Sequence, residues 1–397
     1  MVTAIFWGLT TGFGIHIAFL LGCKSFKRAK QALASHLIAV LLLSLLGTVL
    51  VLLLHRPIFS ILKIGTEIYD ASLQYFFIYF LGFPIYTFNN IANQFFLATG
   101  NSKLPMRISF FTAIGNVVLN FFFIVTLRLG VGGAALATVL VSLLAAIYKL
   151  IVLRKELRRL SEDRAALRID LIEVKQILRL ALPCMLQQFA MYFSSVFVQP
   201  FINALGPASI AAYSVCLEFY NIVATMFQNS SLGFSTFTAQ CVGQKKIGLI
   251  PRGLFISARQ GILFSLPIIA LLLIFPEAIG SIFLKSPNGE AAALIVMYVY
   301  TCIPFILFVV FNNLFHNFFR GVQKPQFTLL TTVIYSITRI AATCALIPRL
   351  AMTGVFYGFV LAWGVEFIVC MVLYLSKKWK SDEYLDAGRE KHAAVSK

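Results

Sequence analysis

Long apolar segments are the feature that most limits what this chain can fold into. Eleven runs among its 397 residues are long and apolar enough to cross a bilayer as helices, which takes ~20 residues for a hydrocarbon core ~30 Å thick. A spanning helix satisfies its own backbone hydrogen bonds, so the runs predict an all-α polytopic membrane protein. The runs lie near 1–22, 36–55, 72–99, 106–128, 131–153, 177–203, 208–241, 252–276, 291–319, 326–348 and 353–376.

The charge pattern predicts the orientation. Charged residues make up only 12% of the chain and hydrophobic ones 59%, which excludes a soluble globular domain with its usual ~25% of charged residues. The net charge of +18 is not gathered in a patch interleaved with aromatic residues, so nucleic acid is not an expected partner. Basic residues instead concentrate in alternate loops, and the positive-inside rule predicts a multi-pass protein of the plasma (inner) membrane with a cytoplasmic C-terminus and an external N-terminus.

The chain contains an internal duplication. A shift of 221 positions places Gly12 on Gly233 and Gly133 on Gly354, and FNNIANQFF (88–96) recurs as FNNLFHNFF (311–319). Six runs follow the polar interruption, so a second copy enters the membrane from the same side and the repeats are parallel. The predicted organisation is an N-lobe at 1–153, a cytoplasmic linker at 154–176, a C-lobe at 177–376 and a cytoplasmic tail at 377–397. Part of the linker is expected to be an amphipathic helix on the membrane surface.

One helix of the duplication has no counterpart. The run 177–203 in the second half has no partner in the first half, so the N-lobe has five helices where the C-lobe has six. We therefore expect that a first helix, ~45 residues of chain by the repeat offset, is missing before Met1. Prolines Pro84 and Pro304, inside corresponding runs, are expected to kink both.

Polar residues inside the apolar runs follow helical stripes. Gln188, Tyr192, Ser195 and Gln199, for example, are spaced by four, three and four residues, which is one face of a helix. A single such residue is explained by a hydrogen bond to a neighbouring helix. Several polar faces together must turn toward protein or water, and they predict a substrate cavity. Its predicted lining is Gln188, Tyr192, Gln199, Asn221, Gln228, Asn313, His316, Tyr335 and Arg339.

Carboxylates are scarce in the apolar runs, where only Glu218 and Glu366 occur. An ionisable group inside a membrane indicates function by default. Glu218 lies on the stripe that continues through Asn221, whereas the sequence neighbours of Glu366 are mostly apolar, so Glu218 is the predicted proton-exchanging group. Two alternatives remain for Glu218: it forms a static pair with Arg339, or it lies at a helix end where water solvates it.

Familiar catalytic and nucleotide-binding patterns are not found. The sequence has no GxxxxGK[ST], GxGxxG, HExxH, GxSxG or CxxC pattern, and its seven cysteines lie in or beside apolar runs. The chain is therefore not expected to be an enzyme, to bind a metal or to use a cofactor. His16 and His316 are each isolated from other ligand types and are expected to be packed or hydrogen-bonded. Transport would have to be driven by an ion gradient.

These motifs resemble those of the multidrug and toxic compound extrusion (MATE) transporters. The resemblance is carried by GNSKLP, GNVVLN and GVGGAALAT in the first half, and by LPCMLQQF, GFSTFTAQCVGQKK, FFRGVQKP and SITRIA in the second. It implies two six-helix lobes and alternating access, with cationic or amphipathic compounds exported by a monomer in exchange for protons or sodium ions. In part of the family an N-lobe cation site uses residues that match Asn116 and Thr138, with Asn120 here in place of an aspartate.

Three other functions compete with an exporter. A lipid-linked oligosaccharide flippase of the same superfamily would use a similar cavity, but for anionic lipids it should be lined by several cations, and Arg339 alone is clearly in mid-membrane. An intramembrane enzyme would need clustered His, Asp or Cys residues, which the sequence does not show. A truncated, inactive transporter would follow from the missing first helix.

Overall fold

Residues 2–61, 68–160, 169–278 and 289–380 are described by a computed structural model. The helices are α1 (Val2–Gly22), α2 (Phe26–Leu53), α3 (His55–Ile61), α4 (Tyr69–Leu81), α5 (Phe83–Ala98), α6 (Lys103–Asn120), α7 (Gly130–Leu160), α8 (Leu171–Asn203), α9 (Pro207–Gly243), α10 (Ile250–Ile274), α11 (Glu290–Cys302), α12 (Ile306–Gly321), α13 (Pro325–Leu350) and α14 (Met352–Leu375). This confirms the predicted all-helical class.

Ten of the eleven predicted membrane runs appear in the described residues as helical segments of sufficient length and apolarity. The remaining run, 72–99, is present as two shorter helices, α4 and α5, which meet at Gly82. A side chain at Gly82 would come within 2.5 Å of Val139, so the break depends on close approach to α7. The described residues therefore include all eleven predicted runs as helices, with 72–99 divided at Gly82 and 291–319 divided by a short 3₁₀ turn.

Both predicted proline kinks are confirmed. Pro84 lies in the first turn of α5, directly after the break at Gly82. Pro304 lies in a 3₁₀ turn, Ile303–Phe305, between α11 and α12. Proline lacks the backbone N–H that a continuous helix needs at this point, so the two halves of the sequence interrupt corresponding runs by the same physical means.

The residues group into two compact units. The N-terminal unit contains Leu9–Ala181, and the C-terminal unit contains Thr3–Gly8 with the described residues from Leu182 onward. The C-terminal unit is built on an apolar core with aromatic members Phe219, Tyr298, Phe356 and Trp363, all 2% exposed or less.

The described part of the predicted linker is not a separate surface helix. Residues 154–160 continue α7 without a break, and α8 begins at Leu171, where the Asp170 carboxylate accepts a hydrogen bond from the backbone N–H of Ile172 at 2.8 Å. Residues 154–160 therefore belong to α7, because a helix already formed extends at little further cost, and the amphipathic helix expected in part of the linker stays a prediction. Residues 161–168 of the linker and 381–397 of the tail lie outside the described residues.

Helices α13 and α14 form a tightly packed hairpin that positions the site described below. Ala351, with a φ of 47°, makes the turn between them. A side chain at Gly354 would come within 2.7 Å of the Leu346 backbone, and one at Gly358 within 2.4 Å of Thr343 Oγ1. Small residues one turn apart let helix backbones approach closely in a membrane. This seam brings the polar faces of α13 and α14 to one cavity.

Candidate functional site

A cavity of about 400 Å³ lies within the C-terminal unit. Five helices supply its walls, and the volume falls in the ~300–1,000 Å³ range of small-molecule sites. The lining residues are Gln187, Gln188, Met191, Tyr192 and Ser195 from α8, Leu217, Tyr220, Asn221, Ala224, Thr225 and Gln228 from α9, Val309, Asn312, Asn313, His316 and Arg320 from α12, Thr332, Tyr335 and Arg339 from α13, and Phe359, Trp363 and Glu366 from α14.

Eight of the nine predicted cavity residues line this space, namely Gln188, Tyr192, Asn221, Gln228, Asn313, His316, Tyr335 and Arg339. Gln199 does not belong with them, which corrects the prediction. Its amide donates instead to Asn203 Oδ1 at 2.9 Å, toward the end of α8. The stripe on α8 runs past the end of the cavity, so helical spacing alone extended the prediction too far. That the eight residues bind a substrate stays a prediction.

Glu366 is the carboxylate in the cavity wall. It is 6% exposed, and its Oε2 accepts a hydrogen bond from the Asn312 amide at 3.0 Å. His316 Nε2 lies 3.1 Å from the other oxygen, Oε1. Among the described residues it is the sole carboxylate that lines this cavity. Its sequence neighbours are mostly apolar, as noted above, and its polar partners come from another helix, α12.

Glu218 lies elsewhere. It is on an exposed part of α9, where Leu217 and Tyr220 occupy the cavity wall at that level. Thr225 points in nearly the same direction around the helix but lies about two turns, ~10 Å, further along it. Glu218 is exposed and is not among the lining residues, so the prediction that it is buried on the cavity stripe is wrong, and its role in ion coupling remains untested.

Three hydrogen-bonded side chains lead to the neighbourhood of Glu366. Arg320 Nη2 donates to Gln187 Oε1 at 2.5 Å, and the Gln187 amide lies 3.3 Å from His316 Nδ1. His316 Nε2 is hydrogen-bonded to Thr331 Oγ1 at 3.1 Å and lies at the same distance from Glu366 Oε1. Arg320 and Gln187 are 4% and 1% exposed.

Arg320 was missed at the sequence level. It lies just beyond the end of the predicted run 291–319 and directly precedes Gly321. The signal that could have found it is its spacing of four residues from His316, which puts both on one face of α12.

Arg339 lies in another part of the cavity wall and is 3% exposed. Its guanidinium donates to Ser195 Oγ and Tyr213 Oη, both at 3.0 Å, and lies over the Phe359 ring at 4.4 Å from the centroid. The Nε donor has no hydrogen-bond partner among the described residues. Neutral hydroxyls and one aromatic ring therefore surround this cation.

The three residues of the predicted ion site meet in the N-terminal unit. Asn116 donates to Thr138 Oγ1 at 3.2 Å, and Asn120 donates to Asn116 Oδ1 at 3.0 Å. Asn120 Oδ1 is buried without a partner in the described part of the chain. The cluster presents amide and hydroxyl oxygens, the ligands that hard cations prefer. Ion binding here stays a prediction.

A larger groove, of about 950 Å³, runs along α6 and α7 in the N-terminal unit. Its lining is mostly apolar, with Lys103 and Arg107 among the exceptions. It lacks the converging buried polar groups that mark a ligand site, so the smaller cavity is the better candidate. Across the described residues, no three His, Cys, Asp or Glu side chains are grouped to hold a metal ion.

The MatE family model matches residues 1–122 and 183–344. The chain belongs to the MATE family of transporters. This transporter is 23% identical over 394 residues to the "Probable multidrug resistance protein YoeA" of Bacillus subtilis, an alignment that covers 95% of the chain and 83% of YoeA. It is 26% identical over 205 residues to the "Multidrug export protein MepA" of Staphylococcus haemolyticus, covering 51% of the chain and 45% of MepA.

The same fold occurs in solved MATE structures. A variant of the Vibrio cholerae MATE transporter VcmN superposes with a TM-score of 0.89 at 16% identity, covering 97% of this chain and 88% of that one. The chain is thus a multi-pass membrane transporter of this family, as the resemblance implied, and the family favours an efflux transporter over the flippase and the enzyme.

Proposed function

We propose that the chain is a secondary active efflux transporter that exports amphipathic small molecules through the C-terminal cavity in exchange for protons or sodium ions. Family membership and the names of YoeA and MepA support efflux. The observation that carries the proposal is Glu366, a carboxylate in the cavity wall whose described partners are the Asn312 amide and the His316 imidazole. An ion-driven exporter needs such a group, because its charge changes when an ion binds.

Exchange follows from competition at Glu366. The ionised carboxylate attracts a cationic group of the substrate, such as an amine. A proton or sodium ion on the same carboxylate removes that attraction, so ion and substrate each disfavour binding of the other. When the ion and the substrate each bind one state more tightly than the other, each of them shifts the populations of the inward-open and outward-open states. The amide cluster at Asn116, Asn120 and Thr138 is a second place where sodium could enter this coupling.

Location and assembly complete the proposal. The basic loops favour the plasma membrane with the C-terminus on the cytoplasmic side. The transporter would act as a monomer, with the cavity reached alternately from the two sides. The cationic substrate class predicted from the family resemblance stays a prediction, since Arg320 and Arg339 outnumber Glu366 among the charges of the cavity wall.

The test uses the purified full chain in proteoliposomes, with a proton gradient and a sodium gradient imposed separately. We expect one of the gradients to drive transport of ethidium, an aromatic cation. Glu366→Gln should abolish this transport, and Glu218→Gln, a matched change at the exposed carboxylate, should leave it intact. Loss in Glu218→Gln with retention in Glu366→Gln would return the coupling role to Glu218.

A further inference from the structure

The groove along α6 and α7 has a charged end and a largely apolar remainder. Lys103 and Arg107, one turn apart on α6, line one end together with Asn101. Beyond that end the lining is apolar apart from Thr112 and Tyr148. No carboxylate is among the lining residues, and within the described chain neither basic residue forms an ion pair. The positive charge at this end is therefore left for a ligand.

The antiparallel packing of α6 and α7 adds a phenol to the charged end. Asn116 on α6 and Thr138 on α7 are hydrogen-bonded at 3.2 Å. Ten residues from each, in opposite chain directions, lie the immediate neighbour of Arg107 and Tyr148. Because both helices rise equally per residue, Tyr148 is level with Arg107. An ammonium, a guanidinium and a phenol at one place are donors suited to a phosphate.

The apolar part of the groove is about as long as one leaflet is thick. On α6 it runs from Ile108 to Leu119, a distance of ~16 Å at the usual helical rise. Half of a ~30 Å hydrocarbon core is ~15 Å. The positive-inside rule assigns the basic end to the cytoplasmic side. The basic end then lies at the headgroups of the cytoplasmic leaflet, and the apolar part lies along its acyl chains.

The walls of the groove are open to the surroundings of the protein. Phe111, Val118 and Leu144 in its lining are 70%, 59% and 65% exposed. Gly115 also lines it, and a Cβ there would lie 3.6 Å from Val141, so a longer side chain would extend into the space. An acyl chain needs none of the converging polar groups that a polar ligand requires. The groove therefore suits a lipid chain.

From this geometry we propose that the groove binds an anionic phospholipid of the cytoplasmic leaflet. One acyl chain lies along the apolar part, and the phosphate lies at Lys103 and Arg107 with the Tyr148 hydroxyl as a further donor. Basic pockets between transmembrane helices on the cytoplasmic side bind anionic headgroups. The two basic residues select an anionic lipid over a zwitterionic lipid with the same chains. The site is separate from the C-terminal cavity and does not depend on the transport proposal.

The test photo-crosslinks lipid to the purified full chain in phosphatidylcholine nanodiscs. The probes are a phosphatidylglycerol and a phosphatidylcholine with identical chains, each carrying a diazirine on one chain and added in trace amount. Mass spectrometry of the peptides locates the label. At equal concentration we expect phosphatidylglycerol to label 108–119 and 141–148 about thirtyfold more than phosphatidylcholine, if each basic residue contributes as it does at a membrane surface.

Substitutions assign the two parts of the site. Lys103→Gln combined with Arg107→Gln should reduce labelling by phosphatidylglycerol to the phosphatidylcholine level, whereas Lys103→Arg combined with Arg107→Lys should keep the preference. Arg252→Gln, at an exposed position in the first turn of α10, removes a basic residue elsewhere and should change nothing. Gly115→Leu fills part of the groove and should lower labelling by both lipids.

Three results would overturn the site. Equal labelling of the groove by the two lipids, or a preference that survives the loss of both basic residues, would reduce it to ordinary contact with the bilayer. Absence of label from the groove with either lipid would show that a protein segment covers it. If the double glutamine variant does not fold, competition in the unaltered chain decides: unlabelled phosphatidylglycerol should displace the probe at about one thirtieth of the phosphatidylcholine concentration, and equal competition would contradict the proposal.

Discussion

The first asparagine of the repeated FNN motif contacts a buried charge in both halves of the molecule, and the two charges are opposite in sign. In the N-terminal unit Asn89 accepts a hydrogen bond from the buried Lys149 ammonium at 2.8 Å. In the C-terminal unit the corresponding Asn312 donates to the buried Glu366 carboxylate at 3.0 Å. An amide can serve either partner because it carries both a donor and an acceptor, so the duplicated position accommodates a cation in one copy and an anion in the other.

The halves also differ in how they treat a buried carboxylate. Glu173 in the N-terminal unit is held by His16 at 2.6 Å and by Arg28 at 2.7 Å, which uses both of its oxygens. Glu366 has a neutral amide and an imidazole, and it faces a cavity. Burial of a charge therefore does not by itself mark a functional site. Within the described residues, Glu366 differs from Glu173 because no arginine or lysine forms an ion pair with it and because it faces a cavity.

The largest expected effect comes from giving the second half the charge of the first. Glu366→Lys should abolish gradient-driven transport in proteoliposomes, because the cavity would then hold three cations and no group to bind the coupling ion. Melting temperature in detergent controls for misfolding. Transport at the wild-type rate by this variant would mean that Glu366 plays no part in coupling.

A smaller effect, on stability alone, is expected at Glu173. Glu173→Gln weakens two charge-assisted hydrogen bonds and should lower the free energy of unfolding by about 1–3 kcal/mol, with unchanged transport per folded molecule. Thermal melting and the proteoliposome assay measure the two quantities. Glu156→Gln is the control, since Glu156 forms a partly exposed contact of 3.6 Å with Arg159 that should contribute ~1 kcal/mol or less. A transport defect in Glu173→Gln without loss of stability would remove the contrast with Glu366.

The smallest effect is expected from the Asn89 and Lys149 pair taken as a double-mutant cycle. Asn89→Leu leaves the buried ammonium without its acceptor and should lower stability by about 1–2 kcal/mol. Lys149→Met should be nearly neutral, because it removes a charge that has no carboxylate partner among the described residues. In the Lys149→Met background the loss caused by Asn89→Leu should shrink, with a coupling of ~1 kcal/mol. Strictly additive melting data would show that the two side chains do not depend on each other.

Much of the fold followed from local features of the sequence. Apolar runs, the shifted repeat and the two prolines are visible without any tertiary contact, and they predicted the helices and both interruptions. Most cavity residues were also predictable, because a polar side chain such as Asn221 or Tyr335 stands out on an apolar helix and its spacing identifies a face.

The errors concern contacts between distant segments. Glu366 was ranked below Glu218 because its sequence neighbours are apolar, whereas Asn312, which holds it, is 54 residues away. Gln199 lies one turn beyond Ser195, the last residue of α8 in the cavity wall, and Glu218 is exposed although its neighbours Leu217 and Tyr220 line the cavity. Periodicity gives the direction of a side chain around a helix, but it does not give the depth at which a cavity closes.

The glycine seam between α13 and α14 limits how this transporter could acquire a new substrate range. At Gly354 the two backbones are in contact, and at Gly358 the backbone of α14 lies against Thr343, so a larger residue at either glycine would push the helices apart. The distance between Arg339 on α13 and Glu366 on α14 is consequently set by the packing of the two helices. Substitutions at Phe359, Trp363 and Glu366 change the chemistry of the cavity wall and leave that distance as it is.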